Sequence, residues 1–169
     1  EYKILSLSLL NFKFTNIKKN NNKINLKKNK KNYELNGKLF DATKLIKEMF
    51  NSDKNKDLTV LLHNFNTNVV VQIDKFYLDN EYFVNKFHGE LSLIKSEIRK
   101  LNITSNFNKD KKLTLTIDNT GDEKITTLYS DHAKPLIKNY KFITGFEEGS
   151  LDFYSIEKNN LTTAKLKIY

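Results

Sequence analysis

The side chains of this 169-residue chain most capable of chemistry are three histidines, a handful of aspartates and one acidic pair. His63, His88 and His132 are scattered, whereas a metal site draws its ligands from short, recurring spacings. His88 falls in the polar phase of a strand and His132 at the start of a helix, so both read as surface histidines. Asp131-His132 has no serine or cysteine at the spacing of a known nucleophile motif. Glu147-Glu148 lies beside a turn and could hold a cation, but a solvated turn accounts for it more simply. Asp74, Asp79, Asp118 and Asp122 sit at strand ends and turns, where aspartate accepts backbone amides. A glycine-rich phosphate loop is absent. Nothing here forms an acid–base pair, so the sequence predicts no catalytic residue, no metal site and no cofactor: a non-enzymatic chain.

Charge and aromatic content raise a different possibility, a basic sheet that stacks bases. The net charge is +9, with eight tyrosines, twelve phenylalanines and no tryptophan. Two observations argue against that use. The positive charge is almost all lysine, with Arg99 the only arginine, whereas nucleic-acid sites favour the bidentate, stacking guanidinium. The phenylalanines also keep phase with aliphatic residues, opposite the lysines, while a stacking platform mixes aromatic and basic groups. The abundance of Asn, Lys and Ile has the look of AT-rich coding. No nucleic-acid partner is expected. The lack of cysteine excludes disulfides and thiolate metal sites, and no run approaches the roughly 18 apolar residues of a membrane span.

The elements that must position these side chains are mostly strands, because period-two alternation dominates. Residues 3–14 read as a strand with a kink near Leu10-Asn11. Residues 16–32, rich in Lys and Asn, read as a mobile hairpin or an edge strand guarded by lysine. Tyr33, Leu35, Gly37 and Leu39 resume the alternation. The period then changes, and Leu45, Ile46, Met49 and Phe50 share one face of a short helix at about 41–51, with Asp41 as its cap. Further strands follow at 58–62, 69–78 (with a shift of phase at Asp74), 81–94, 98–107, 112–118 and 124–129. A second short helix at about 131–140 presents Leu136, Ile137 and Tyr140, and two last strands occupy 150–158 and 161–169. Links are short and polar, and Asn159-Asn160 reads as a two-residue hairpin turn.

Consecutive strands joined this way pair as antiparallel neighbours. The expected fold is therefore mainly β: a long curved antiparallel meander, a β-groove or half-barrel, with two accessory helices, within a single segment 1–169. One face is apolar in every strand, and two short helices could hardly cover its length. Phe83, Phe87, Leu91, Leu101, Ile103, Leu113, Leu115 and Ile117 share phase and are the expected lining of that face. The chain starts at Glu1 and closes on an alternating run, which suggests a piece of a longer protein made to pack beside further sheet. A structural β-sandwich or interaction module, whose apolar face is simply core, is the alternative, with a basic nucleic-acid-binding barrel third.

The order of the pieces resembles the AsmA-like and YhdP-like bacterial envelope proteins. The stretch Leu35-Asn-Gly-Lys-Leu-Phe40-Asp41-Ala42 running into a helix is similar to one of their segments. So is Leu128-Tyr-Ser-Asp131-His-Ala133 followed by a helix and a glycine turn, although Lys134 and Glu148-Gly149 stand where glycines are usual. The likeness spans roughly residues 30–169. It implies a repeating β-groove with an apolar concave face that holds phospholipid acyl chains. It further implies neighbouring groove segments of the same chain, a membrane anchor outside this stretch, and a place at the periplasmic face of the inner membrane. The implied role is support of phospholipid movement between inner and outer membranes.

Overall fold

A computed structural model describes residues 8–16, 19–50, 66–137 and 148–169. The expected strand at 58–62, His63, Tyr140 and Glu147, and the side chains of Met49 and Phe50, lie outside the described residues. The chain is mainly β, with strands β1 (Leu9–Thr15), β2 (Asn21–Asn29) and β3 (Asn32–Asp41), then helix α1 (Thr43–Phe50). Strands β4 (Thr67–Tyr77), β5 (Phe83–Ile94), β6 (Glu97–Asn106), β7 (Lys112–Asn119) and β8 (Glu123–Ser130) follow. After helix α2 (Lys134–Ile137) the sheet ends with β9 (Leu151–Lys158) and β10 (Leu161–Ile168).

All ten strands join one sheet in chain order, β1 to β10, open at both edges rather than closed into a barrel. Every neighbouring pair is antiparallel except one: β3 and β4 run parallel. The purely antiparallel meander expected from the sequence is therefore broken once, and the connection explains why. A two-residue hairpin can only reverse the chain, whereas a parallel step needs a crossover of a dozen or more residues. The stretch from Asp41 to Thr67, which contains α1, is long enough to supply it.

Local chemistry sets the ends of the elements. Asn159 and Asn160 adopt φ of 52° and 60°, the paired left-handed values of a type I′ turn between β9 and β10. Asp79 Oδ1 accepts the amides of Glu81 (2.6 Å) and Tyr82 (2.8 Å) in the β4–β5 turn. Asp41 Oδ1 accepts the Thr43 amide at 3.0 Å, satisfying a donor at the start of α1. The stretch 16–32 does not form the edge: β2 lies between β1 and β3. Its pairing with β3 slips between Lys23 and Ile24, and Asn22, fully buried, occupies this irregularity. The Asn22 side chain takes the Asp41 amide at 2.7 Å and donates to the Asn20 carbonyl at 3.0 Å, so both ends of the amide are used.

The tight core is small and lies at one end of the sheet. Val84, Phe107 and Leu113 form one buried cluster with Phe76, Phe87 and Leu136 packed against it. Ala133, Ile137 and Leu151 form a second, joined by Leu128, Phe153 and Ile168. Burying α2 here turns four residues into a lid that needs little intrinsic helix stability.

Two glycines separate crowding from tolerance. A Cβ on Gly37 would stand 2.8 Å from Ile24 Cγ2 and 2.9 Å from the Lys23 carbonyl oxygen, which is backbone and cannot step aside. A Cβ on Gly89 would meet only ordinary contacts, 3.5 Å or more from Phe87, Val71 and Ile103. Gly37→Ala is expected to cost about 1–3 kcal/mol, and Phe107→Ala about 3–5 kcal/mol. Gly89→Ala should stay within about 1 kcal/mol of the parent. Urea unfolding at constant m-value measures all three. Equal effects of the two glycine substitutions would contradict this packing.

Candidate functional site: the apolar face of the sheet

Alternation puts every second side chain of a strand on one face, and register decides whether those faces agree from strand to strand. Here they agree across the whole sheet. Leu115 on β7 stands opposite Leu128, Leu128 opposite Phe153, and Phe153 opposite Leu166 on β10. In the other direction Leu115 faces Ile103, Ile103 faces Gly89, and Gly89 faces Val71. Val71 pairs with Leu35 across the parallel step, then come Leu26 and Leu10 on the β1 edge. One row crosses ten strands and meets no polar side chain.

A second row on the same face runs through Tyr33, Val69, Leu91, Leu101 and Ile117 before turning polar at Thr126 and Ser155. In the central strands both rows are half-buried, apart from the buried Tyr33 and Gly89, and the ends of the first row, Leu10 and Leu166, are exposed. Below them a third row is closed off, since Leu113 and Leu151 belong to the buried clusters next to α2. The apolar face is thus covered at one end and accessible along its middle. Among the described residues there is no second sheet.

The opposite face is polar in the same registers. Thr114 stands opposite Thr104 and Tyr129, Thr104 opposite His88, and His88 opposite Gln72. Thr116 and Thr127 hydrogen-bond to each other, and His88 Nε2 lies 3.3 Å from Glu90 Oε1. A shallow hollow of about 290 Å3 lies toward β10, where Tyr129, Asp152, Tyr154, Lys165 and Lys167 meet. Only register brings these residues together, and sequence reasoning missed them.

The residues expected to line the face divide into three groups. Leu91, Leu101, Ile103, Leu115 and Ile117 come together in the two accessible rows. Leu113 shares the face but is buried, and Phe87 stacks on Phe76 with ring centroids 4.2 Å apart. Phe83 does not join them. Val84, its neighbour, is in the core, and alternation turns Phe83 the other way, beside Tyr77 with Lys75 Nζ 3.8 Å above its ring. The reason is a change of phase at Lys86, whose φ of 53° lets Val84 and Phe87, three apart, share one cluster. The pairing of β5 with β6 slips at the same place. The matching shift on β4, legible at Asp74, lets Ile73 and Phe76 sit on the same face.

That shift also completes a ladder of rings. Phe12 lies 5.2 Å from Phe14, Phe14 6.3 Å from Phe40, and Phe40 5.7 Å from Phe76, centroid to centroid. These distances suit tilted and edge-on contact, worth about 0.5–1.5 kcal/mol per pair beyond burial. The phase change read at Leu10 leaves β1 undisturbed, for Leu9 to Thr15 pair with β2 in unbroken register.

Of the two described histidines, His132 is held between aromatic rings. Its ring meets Tyr82 and Phe107 edge-on at 5.5 Å and 5.3 Å, at the entry to α2. Its backbone is clamped by the fully buried Ser130 hydroxyl, which donates to the His132 carbonyl at 2.8 Å and accepts its amide at 3.1 Å. The neighbouring Asp131 accepts the Tyr129 hydroxyl and the Lys112 amide (2.8 Å), and these bonds hold its carboxyl below 3.8. Among the described residues no three His, Asp or Glu side chains gather to hold a metal. Comparison with family models, with curated proteins and with solved structures finds no match.

Burial, with the Lys111 charge, holds the His132 imidazole below its ordinary 6.5, against an upward pull from Glu148; Lys134 adds to the lowering. A base that binds its proton more weakly when folded favours folding only while neutral. The contribution is complete above about 6.5 and disappears as pH falls through the lower folded value. Thermal unfolding between about pH 7 and pH 5 should therefore show declining stability with acid. His132→Phe keeps the ring contacts and should flatten the decline. An undiminished slope in His132→Phe would refute the assignment.

Proposed function

We propose that this chain is a non-enzymatic segment of an inner-membrane-anchored envelope protein that shields lipid acyl chains along the apolar face of its sheet. In that role it supports phospholipid transport between the inner and outer membranes. The observation carrying this reading is the apolar row from Leu10 to Leu166, unbroken over ten strands and accessible along its middle.

The dimensions are suitable. Nine inter-strand steps at about 4.8 Å give a path of roughly 43 Å, against roughly 15 Å for the hydrocarbon of one leaflet. Two rows about 7 Å apart make a strip wide enough for acyl chains to lie along it. Removing this apolar surface from water by lipid contact is favourable at about 25 cal/mol per Å2. The polar face opposite and the polar flank at Thr126 and Ser155 leave head groups in water. The resemblance to the AsmA-like and YhdP-like proteins supports the same reading, and with it neighbouring groove segments as further partners.

Charging the face, as in Leu115→Asp, would damage stability and function together and cannot separate them. Site-specific photocrosslinking in cells does. A photoreactive residue replacing Leu101, Ile103 or Leu115 should yield phospholipid adducts, while one replacing Thr104 or Thr114 on the polar face should yield few. Equal lipid capture from both faces would end the groove reading. Protein adducts in place of lipid at Ile103 and Leu115 would favour an interaction module whose apolar face is covered by another sheet.

A further inference from the structure

The net charge of the chain belongs to its first 33 residues, most of it in the β1–β2 hairpin. Residues 2–33 contain nine lysines and no Asp or Glu, whereas residues 34–169 contain twenty Lys or Arg against nineteen Asp or Glu. A coding bias toward lysine acts on the whole chain and cannot place its entire imbalance in the first fifth. Lys13, Lys19, Lys23, Lys27, Lys30 and Lys31 are all exposed. Lys13 and Lys23 even stand directly opposite each other on β1 and β2, a like-charge pairing that opposes folding.

The same hairpin exposes apolar surface. Leu9, Leu10 and Phe12 on the edge strand are 59%, 45% and 47% exposed. Leu10 and Phe12 point to the apolar face and Leu9 to the other, so apolar groups flank the edge on both sides. Exposed leucine and phenylalanine within reach of many lysines match a bilayer interface, where apolar groups enter the acyl boundary and lysines stay at the phosphates. A nucleic-acid surface fits less well, because the hairpin has no arginine and the edge offers two aliphatic side chains.

We propose that the β1–β2 hairpin docks the edge of the sheet onto an anionic phospholipid bilayer. Docked edge-on, the hairpin brings Leu10, where the ten-strand apolar row begins, against the membrane. The proposal extends the lipid-groove reading without requiring it, since it rests on charge and exposure at the edge. The bland alternative is that the lysines only guard an unpaired strand edge against aggregation; that role carries no preference between lipids.

Co-sedimentation of the full chain with vesicles decides between them, using phosphatidylcholine alone and phosphatidylcholine mixed with phosphatidylglycerol. The chain should bind the mixed vesicles and not the neutral ones, and salt should weaken the binding. Replacing Lys13, Lys23 and Lys27 by glutamine should lower the partition by about fivefold per lysine, on the order of a hundredfold together. Phe12→Ser should weaken binding while retaining its dependence on phosphatidylglycerol. Replacing Lys112, Lys165 and Lys167 by glutamine, far along the sheet, should change little, and circular dichroism should show every variant folded. Equal binding to both vesicle types, or equal loss in the two triple variants, overturns the proposal. Binding to duplex DNA without binding to anionic vesicles overturns it in favour of a nucleic-acid partner. Vesicle docking and acyl crosslinking report on different residues, so either reading can fail alone.

Discussion

Everything in this structure depends on cross-strand register. A strand offers apolar side chains on one face only, and a slip of one residue at any of nine interfaces would send the rest of the row to the polar side. The ladders slip at Lys23/Ile24, near Lys86 and at Ser92/Leu93, and the first two slips are compensated locally. A buried asparagine fills the first and a left-handed lysine absorbs the second. The apolar row from Leu10 to Leu166 survives both.

The sheet treats its two faces unequally, and its packing follows from that. At one end α2 and the turn before it press onto Leu128 and Leu151, and the chain attains a close-packed core. Along the middle the same face meets no comparable cover among the described residues, and its leucines and isoleucines are half-buried. Soluble monomers seldom keep such continuous apolar surface without a use for it. On the proposed reading acyl chains would lie along this long, narrow strip, whereas a protein interface would concentrate its energy in a few deep anchor pockets. The strip here is mostly aliphatic, with Phe153 and Tyr33 as its aromatic members.

Much of this was legible beforehand. The boundaries of the strands from β4 to β10 to within a few residues, the Asn159-Asn160 turn, the two helices and the apolar phase of most of these strands follow from side-chain period and turn chemistry, which act within a few residues. The change of phase at Asp74 was visible as well, because Val69, Val71 and Ile73 fall out of step with Phe76 and Leu78. Its counterpart at Lys86 was not, since Phe83 and Phe87 lie four apart and look in phase through it. That one backbone angle is why Phe83 faces away from the lining its spacing predicts. The parallel step between β3 and β4 was hidden for a related reason: a helical crossover states that the chain travels, not to which side of its own strand it returns.

By itself the sequence determined that the chain would be a sheet with one apolar face, and that its excess positive charge lies in its first 33 residues. Both are properties of residue type and local order. Tertiary structure alone decided that ten separate apolar phases would line up as one row, that Leu113 would be buried while Leu115 stayed accessible, and that the charged hairpin would fall at an edge beside exposed leucine and phenylalanine. These depend on pairing between strands and on where a four-residue helix lands, which are long-range choices that no local pattern encodes.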